Sequence, residues 1–214
     1  MRALLQKELT LAVHPTNLIF LGLSALALIP HYPYETLFFY NCLGVFFLCL
    51  TARENRDVEF TLLLPVPKRA AVAARILAAA LLQLAQAAAA VPFALVRNWM
   101  PMENQVGLEA NVAFFGVSFL LLGAFNLVFF PLYYRDVSRV GLPFLAGCAV
   151  FTLLACAAEA SAHLVPFVRD VLDTKDPAHL PQKLAVLGVG LAAYALCTLL
   201  ACLRSARSFE RLDL

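Results

Sequence analysis

The chain is poor in charged residues. Only 14% of its 214 residues are Asp, Glu, Lys or Arg, and 62% are hydrophobic, whereas soluble domains carry roughly 25% charged residues. This shortage argues against a soluble protein, because too few polar side chains remain to cover a surface in water. The apolar residues lie in long runs, and runs of about 20 residues match a bilayer core of roughly 30 Å. The composition therefore predicts a polytopic helical membrane protein.

Motifs that carry catalysis or bind nucleotides are also missing. The sequence contains no HExxH, no GxSxG and no GxxxxGK[ST], so we expect no metalloprotease site, no serine nucleophile elbow and no bound triphosphate. The six cysteines lie inside apolar runs without a CxxC spacing, which is typical of small packing residues. We expect a protein that is not itself an enzyme, holds no cofactor or metal, and has no nucleic-acid partner.

One pair of residues keeps an enzymatic alternative open. Glu159 is the acid nearest to an apolar run, and His163 follows it by four residues. An ionisable group in a membrane often marks a functional site, so an intramembrane enzyme that uses Glu159 and His163 is one alternative. The other interpretation is that Glu159 is structural and marks the outer end of a span near Arg97.

Six apolar runs can be marked as candidate spans. They cover approximately residues 16–31, 35–52, 70–96, 109–132, 140–160 and 183–203. We therefore expect an all-α fold with six transmembrane helices, forming a single transmembrane domain over residues 1–214. The fourth run is rich in Phe, which indicates lipid-facing bulk and helix packing rather than a substrate groove. The connection at residues 161–182 is predicted to be extracytoplasmic.

The positive charges predict the orientation in the membrane. Of the sixteen Lys and Arg residues, twelve fall on one side of the six-span arrangement: Arg2, Lys7, Arg53, Arg56, Lys68, Arg69, Arg75, Arg135, Arg139, Arg204, Arg207 and Arg211. The other four are Arg97, Arg169, Lys175 and Lys183. Positive residues are retained in the cytoplasm, so we expect a multi-pass protein of the cell membrane with both termini cytoplasmic.

The first fifteen residues predict an amphipathic helix on the membrane surface. Their apolar residues form one stripe, at Leu4, Leu5, Leu9, Ala12 and Val13. Such a helix lies in the interface between lipid and water, and we expect residues 1–15 to do so before the chain turns into the bilayer at His14-Pro15. Residues 24–27, SALA, resemble a signal-peptidase site, so a cleaved signal is the alternative to a first span.

Residues 53–69 form an unusual connection between the second and third spans. Their acids are followed by FTLLL, two prolines and a basic pair. The pattern predicts a short helix over residues 54–64 that Glu54 or Asn55 caps and that ends before Pro65. Pro67 suits the first turn of the next helix, and Lys68, Arg69 and Arg75 are expected at the membrane surface. An exposed apolar edge here predicts docking on the bilayer or in a partner's groove.

Four amides stand out within the spans. Gln83 and Gln86 share one face of the third span with three alanines. This pattern predicts a tight helix interface, and the alternative is a substrate path between subunits that also includes Asn41 and Asn126.

Together, LLQKELTLAVHP, the six spans and ENRDVEFTLLLPVPKRAAVAAR resemble the membrane subunits of ABC-2 type ABC transporters. Within that family, the chain is similar to the small permeases of the phenol-soluble-modulin exporter type. The resemblance implies a homodimer or heterodimer of permease subunits in the lipid membrane. Each would rest on a separate ATPase subunit that carries ATP and Mg²⁺, and the complex would export hydrophobic or amphipathic peptides or antibiotics.

The resemblance also implies that residues 54–64 are the coupling helix. Its contacts with the ATPase and its join to the third span would come from Glu54, Asp57, Glu59, Phe60, Leu63, Leu64, Pro65, Pro67, Lys68 and Arg69. A non-transporting anchor or regulatory subunit of a membrane complex is the remaining alternative.

The charge distribution leads to a test of topology. Reporter fusions at residues 60, 137 and 210 should report a cytosolic location, and a fusion at residue 172 should report an external one, because Lys and Arg are retained in the cytoplasm. An external signal at residue 60 would contradict the predicted orientation.

Overall fold

In a computed structural model, which describes residues 2–101, 104 and 106–212, the chain is a bundle of helices. The helices, in chain order, are α1 (Arg2–Lys7), α2 (Thr16–Gly22), α3 (Glu35–Glu54), α4 (Asp57–Leu62), α5 (Lys68–Trp99), α6 (Val112–Tyr133), α7 (Gly141–Leu164) and α8 (Leu180–Glu210). A π-helical turn, Glu8–Ala12, continues α1, and a 3₁₀ turn, Leu23–Leu28, continues α2. The described residues contain no strand.

Five of these helices are long and apolar enough to cross a membrane: α3, α5, α6, α7 and α8. They correspond to the last five of the six predicted runs. Within the described residues, the all-helical class is therefore confirmed, and the composition of these helices agrees with a membrane protein. The count is five, or six if the bent segment at the N-terminus is one further span.

The first predicted span differs from the expectation for residues 16–31. Its helical part is Thr16–Leu28, which is bent by 86° from the preceding segment, Arg2–Ala12. The bend falls at His14-Pro15, where the sequence predicted a turn. His14 stabilises it, since its Nδ1 lies 2.8 Å from Thr16 Oγ1 and accepts a hydrogen bond from the Thr16 amide.

The N-terminal helix buries part of the predicted apolar stripe together with one acid. Leu4, Glu8 and Ala12, spaced by four residues, are buried, whereas Leu9 and Leu11 are exposed. Glu8 faces inward because its carboxylate has cationic partners in the bundle.

The Phe-rich helix α6 lies in the core of the bundle. The lipid-facing part of the expectation is wrong for Phe114, Phe125, Phe129 and Phe130, which are almost completely buried and take the packing role that the sequence also indicated. Phe129 stacks on Phe125 and on Tyr133, at ring-centroid distances of 5.2 and 6.0 Å. Aromatic rings that pack against neighbouring helices gain dispersion contacts, and these contacts are closer than those that lipid tails would make.

Helices α6 and α8 approach each other closely at glycines. A Cβ on Gly116 would lie 2.6 Å from the Val186 carbonyl oxygen, and one on Gly190 would overlap the carbonyl of Gly116. Small residues permit this backbone contact between membrane helices. The crossing fixes the relative position of the two helices.

The connections gather at two ends of the bundle, as the alternation of spans predicts. At one end, Lys7 bonds to Asp57, Arg53 to the Ser138 carbonyl, and Lys68 to the Leu212 carbonyl. At the other end, Asn104 donates to the Tyr32 carbonyl and Asn98 to the Asp176 carbonyl. We call these the basic end and the outer end, after the twelve and four positive residues.

Residues 161–182, at the connection of α7 and α8, are partly helical. Helix α7 continues to Leu164, and a π-helical turn follows at Val168–Leu172. Asn111 Nδ2 donates to the carbonyls of Leu172 and Thr174, at 2.7 and 2.8 Å. These hydrogen bonds hold the segment against the start of α6.

A matched pair of variants tests the glycine crossing. Gly190→Ala should destabilise the protein by about 1–3 kcal/mol, because the added methyl group forces α6 and α8 apart. Gly188→Ala is the control, since a Cβ there meets no atom within 4 Å. The measurement is thermal unfolding of the purified protein in detergent, and equal midpoints for the two variants would contradict the crossing.

Candidate functional site

The candidate site is the short helix α4 at the basic end. It spans Asp57–Leu62, shorter than the predicted 54–64. The predicted caps are wrong, because Glu54 is the last residue of α3 and Asn55 is the C-cap of that helix. The chain reverses at Arg56, whose left-handed backbone, at φ 49°, starts α4 without a side-chain cap.

The connection between α4 and α5 contains two prolines, which determine where the helices end and begin. Helix α4 ends at Leu62, Pro67 is the N-cap residue of α5, and Lys68 is the first residue of that helix. Proline has a fixed φ and lacks a backbone donor, so Pro65 and Pro67 limit the conformations of this five-residue connection. The predicted helix stop before Pro65 is confirmed.

The inner face of α4 is held by an ion-pair network. Lys7 Nζ donates to both carboxylate oxygens of Asp57, at 2.8 and 2.9 Å, and to Thr61 Oγ1 at 2.8 Å. Arg75 also donates to the Asp57 carboxylate. The same guanidinium group binds both oxygens of Glu8, at 2.8 and 3.1 Å.

The network lies inside the protein. The side chains of Glu8 and Arg75 are each only 3% exposed. Arg75 therefore joins the N-terminal helix to α4 through two carboxylates. Lys7 of the N-terminal helix makes a second link, because it bonds directly to Asp57. Charge-assisted and bidentate hydrogen bonds are short and directional, so they orient α4 relative to α5.

Two sequence expectations change here. Asp57, predicted to contact an ATPase, instead binds within its own chain. Arg75, predicted to lie at the membrane surface, is buried. The missed partner was Glu8, which is 67 positions from Arg75. The sequence signal that could have indicated a buried partner was the lone arginine within an alanine-rich run, because such a charge inside a span requires a counter-ion.

The edge of α4 that faces away from the bundle is exposed and apolar. Phe60 is 59% exposed and Leu63 is 84% exposed, and Leu64 continues this edge. Glu54 and Glu59 are also exposed. The helix therefore presents apolar and acidic side chains outward, while Asp57 and Thr61 face the bundle.

The basic pair that follows is tied to the end of α8. Lys68 Nζ donates to the Leu212 carbonyl at 2.6 Å, and Arg69 forms a two-point ion pair with Glu210. The sequence predicted that both residues sit at the membrane surface, and it did not predict these partners. They link the start of α5 to the C-terminal part of the chain.

The four amides of the spans are hydrogen-bonded within the chain. Gln83 and Asn126 exchange two hydrogen bonds, at 2.9 and 2.8 Å, and Tyr194 and Thr198 also bond to this pair. The other two are separate from that group: Gln86 donates to Ser24, and Asn41 donates to the Leu82 carbonyl.

All four amides are buried. In this structure they connect helices, which agrees with the packing interpretation. Of the four, only Gln83 and Asn126 bond to each other.

The structure brings two carboxyl groups together near the outer end. Glu35, the first residue of α3, adjoins Glu159 of α7. No donor in the described residues bonds to either oxygen of Glu35 or to Glu159 Oε1. The sequence predicted Arg97 as the neighbour of Glu159. Residue spacing within one helix carries no information on a carboxylate pair that two helices contribute.

His163 does not complete a catalytic pair with Glu159. Its side chain is exposed and lies towards Asp173 in the neighbouring connection. Burial raises the pKa of Asp173 to about 6. The described residues contain no group of three or more His, Cys, Asp and Glu side chains arranged for a metal ion.

No family model, curated protein or solved structure matches this chain.

A charge-removing pair of variants tests the network. Asp57→Asn should destabilise the protein by about 2 kcal/mol or more, because it removes one of the two carboxylates that pair with Arg75 and Lys7 and leaves Glu8 as the single acid for two cations. Glu59→Gln, which removes an exposed acid from the same helix, should change stability by no more than about 0.5 kcal/mol. Thermal unfolding in detergent measures both, and equal effects would contradict a network centred on Asp57.

Proposed function

We propose that the chain is the membrane-spanning permease subunit of an ATP-driven exporter. A separate ATPase subunit, which carries ATP and Mg²⁺, binds the exposed edge of α4. The substrates are hydrophobic or amphipathic peptides or antibiotics. The proposal rests on the geometry of α4 and on the resemblance of LLQKELTLAVHP and ENRDVEFTLLLPVPKRAAVAAR to ABC-2 type permeases.

The observation that carries the proposal is the two-sided character of α4. Its inner face is attached to the bundle by Asp57, while Phe60 and Leu63 extend outward from a connection that also carries acids and a basic pair. An ordinary solvated connection has no need for exposed Phe and Leu side chains. A partner groove would remove this apolar surface from water.

Attachment to the bundle suits a coupling element. A displacement of the ATPase reaches the spans only if the connection does not absorb it. Lys7 and Arg75 attach α4 to the N-terminal helix and to α5, and Pro65 and Pro67 limit the freedom of the join. Movement of α4 would then be passed to α5 and to the N-terminal segment together.

The proposed arrangement in the membrane follows the sequence. Residues 1–15 lie on the cytoplasmic surface, Thr16–Leu28 is the first and shortest of six spans, and both termini are cytoplasmic. The functional unit is a homodimer or heterodimer of permease subunits. The long, mostly exposed apolar helices α7 and α8 leave surface for lipid and for a second subunit.

The two alternatives receive less support. An intramembrane enzyme would use Glu159 with His163, yet Glu159 adjoins Glu35 and the His163 side chain is exposed. A non-transporting anchor has no use for a docking helix tied to the spans. An anchor would leave the ATP turnover of an associated ATPase unchanged when α4 is altered, whereas a permease would change it.

Binding of an ATPase subunit tests the proposal. An affinity-tagged chain purified from native membranes should copurify an ATP-hydrolysing subunit. Phe60→Ala should weaken this complex by about 2 kcal/mol or more, roughly a thirtyfold rise in Kd, if Phe60 is the buried aromatic anchor of the interface.

The chain offers a matched control for Phe60. Phe167→Ala removes a phenylalanine of almost the same exposure, 58% against 59%, from the outer end. The Phe167 variant should bind the ATPase like the unmutated chain. If Phe60→Ala binds its ATPase and exports normally, α4 is not the coupling element.

A further inference from the structure

A second feature of the basic end is a groove between the C-terminal parts of α6 and α8. Its volume is about 430 Å³. One wall is the apolar stretch of α6 from Leu127 to Leu132. The opposite wall and the rim carry four arginines: Arg135, Arg204, Arg207 and Arg211.

The helix period brings these charges together. Arg204, Arg207 and Arg211 are spaced by three and four residues, which places them on one face of the end of α8. Arg135 follows the end of α6 and lines the same groove. Four guanidinium groups around one space repel one another, because like charges at helical spacing are destabilising.

Across residues 2–101, 104 and 106–212, no carboxylate forms an ion pair with any of the four. Other arginines at this end do have acidic partners. Arg69 binds Glu210, and Arg139 binds Asp136. Within the part of the chain that the structure describes, the groove therefore collects positive charge that no acid pairs, beside an apolar wall.

We propose that this groove binds an anionic phospholipid, with the headgroup phosphate among the four arginines and an acyl chain along α6. Arginine forms paired hydrogen bonds to phosphate oxygens. Basic pockets between transmembrane helices at the cytoplasmic side suit anionic headgroups.

A lipid explains both walls of the groove. Free phosphate would use the arginines but leave the stretch from Leu127 to Leu132 unoccupied. An acidic partner protein would approach from the aqueous side, whereas this stretch belongs to α6, the central apolar helix. The site is separate from the exposed edge of α4 and does not depend on the proposed ATPase contact.

The test is binding of dioleoyl phosphatidylglycerol to the delipidated protein in detergent, measured by native mass spectrometry. Dioleoyl phosphatidylcholine and inorganic phosphate are the comparison ligands. We expect phosphatidylglycerol to bind about tenfold more tightly than phosphatidylcholine, and inorganic phosphate in millimolar excess should not displace it. Two arginines contribute on the order of 1 kcal/mol each, so Arg204→Gln with Arg207→Gln should lower the affinity roughly tenfold or more.

Two further double variants make the result specific. Arg135→Gln with Arg211→Gln removes the same charge through the remaining two arginines of the groove and should give a similar loss. Arg53→Gln with Arg56→Gln removes the same charge from exposed residues beside α4 and should retain the phosphatidylglycerol preference. The six positions are exposed, so the variants are expected to fold, and unfolding midpoints without lipid check this.

Three results would overturn the proposal. Equal losses of phosphatidylglycerol affinity in all three double variants would mean that the lipid responds to the overall positive charge of this end rather than to the groove. Displacement of the lipid by inorganic phosphate would assign the arginines to a soluble anion. Unchanged lipid binding in both groove variants, with loss of a copurifying protein instead, would assign the groove to a protein partner.

Discussion

The arrangement of the basic end depends on the need of one buried arginine for countercharges. Arg75 lies on α5 in a run of alanines, where an unpaired guanidinium would be costly. Glu8 and Asp57 supply the two carboxylates. Because these residues belong to the N-terminal helix and to α4, satisfying one charge determines the position of both elements. The outward direction of Phe60 and Leu63 follows, since the opposite face of α4 is committed to the network.

The rest of the bundle uses contacts suited to an apolar surrounding. Helices α6 and α8 approach at Gly116 and Gly190, and the Gln83–Asn126 pair connects α5 to α6. In lipid, burying apolar surface between helices gains little, so close backbone packing and satisfied amides provide the specificity. The spans therefore form a closely tied unit onto which the basic end is attached by ion pairs.

The two ends of the bundle use charge differently. At the basic end, positive residues are either paired, as in Arg69 with Glu210, or collected around the groove at Arg204 and Arg207. At the outer end, Lys183 is buried and bonded to Asp176, and Glu35 adjoins Glu159 with no cation paired to either among the described residues. A docking helix and a lipid groove on the same end would place ATPase contact and headgroup contact on the same group of helix ends.

The sequence by itself determined the class and the order of the long helices, because hydrophobic run length and proline positions act locally. It also located the turn at His14-Pro15 and the stop before Pro65. Only the tertiary structure decided which distant residues meet. Glu8 with Arg75, Glu35 with Glu159, and Lys68 with Leu212 are joined across 67, 124 and 144 positions. Local patterns carry no information on such pairs, since helix packing selects the side chains that face each other.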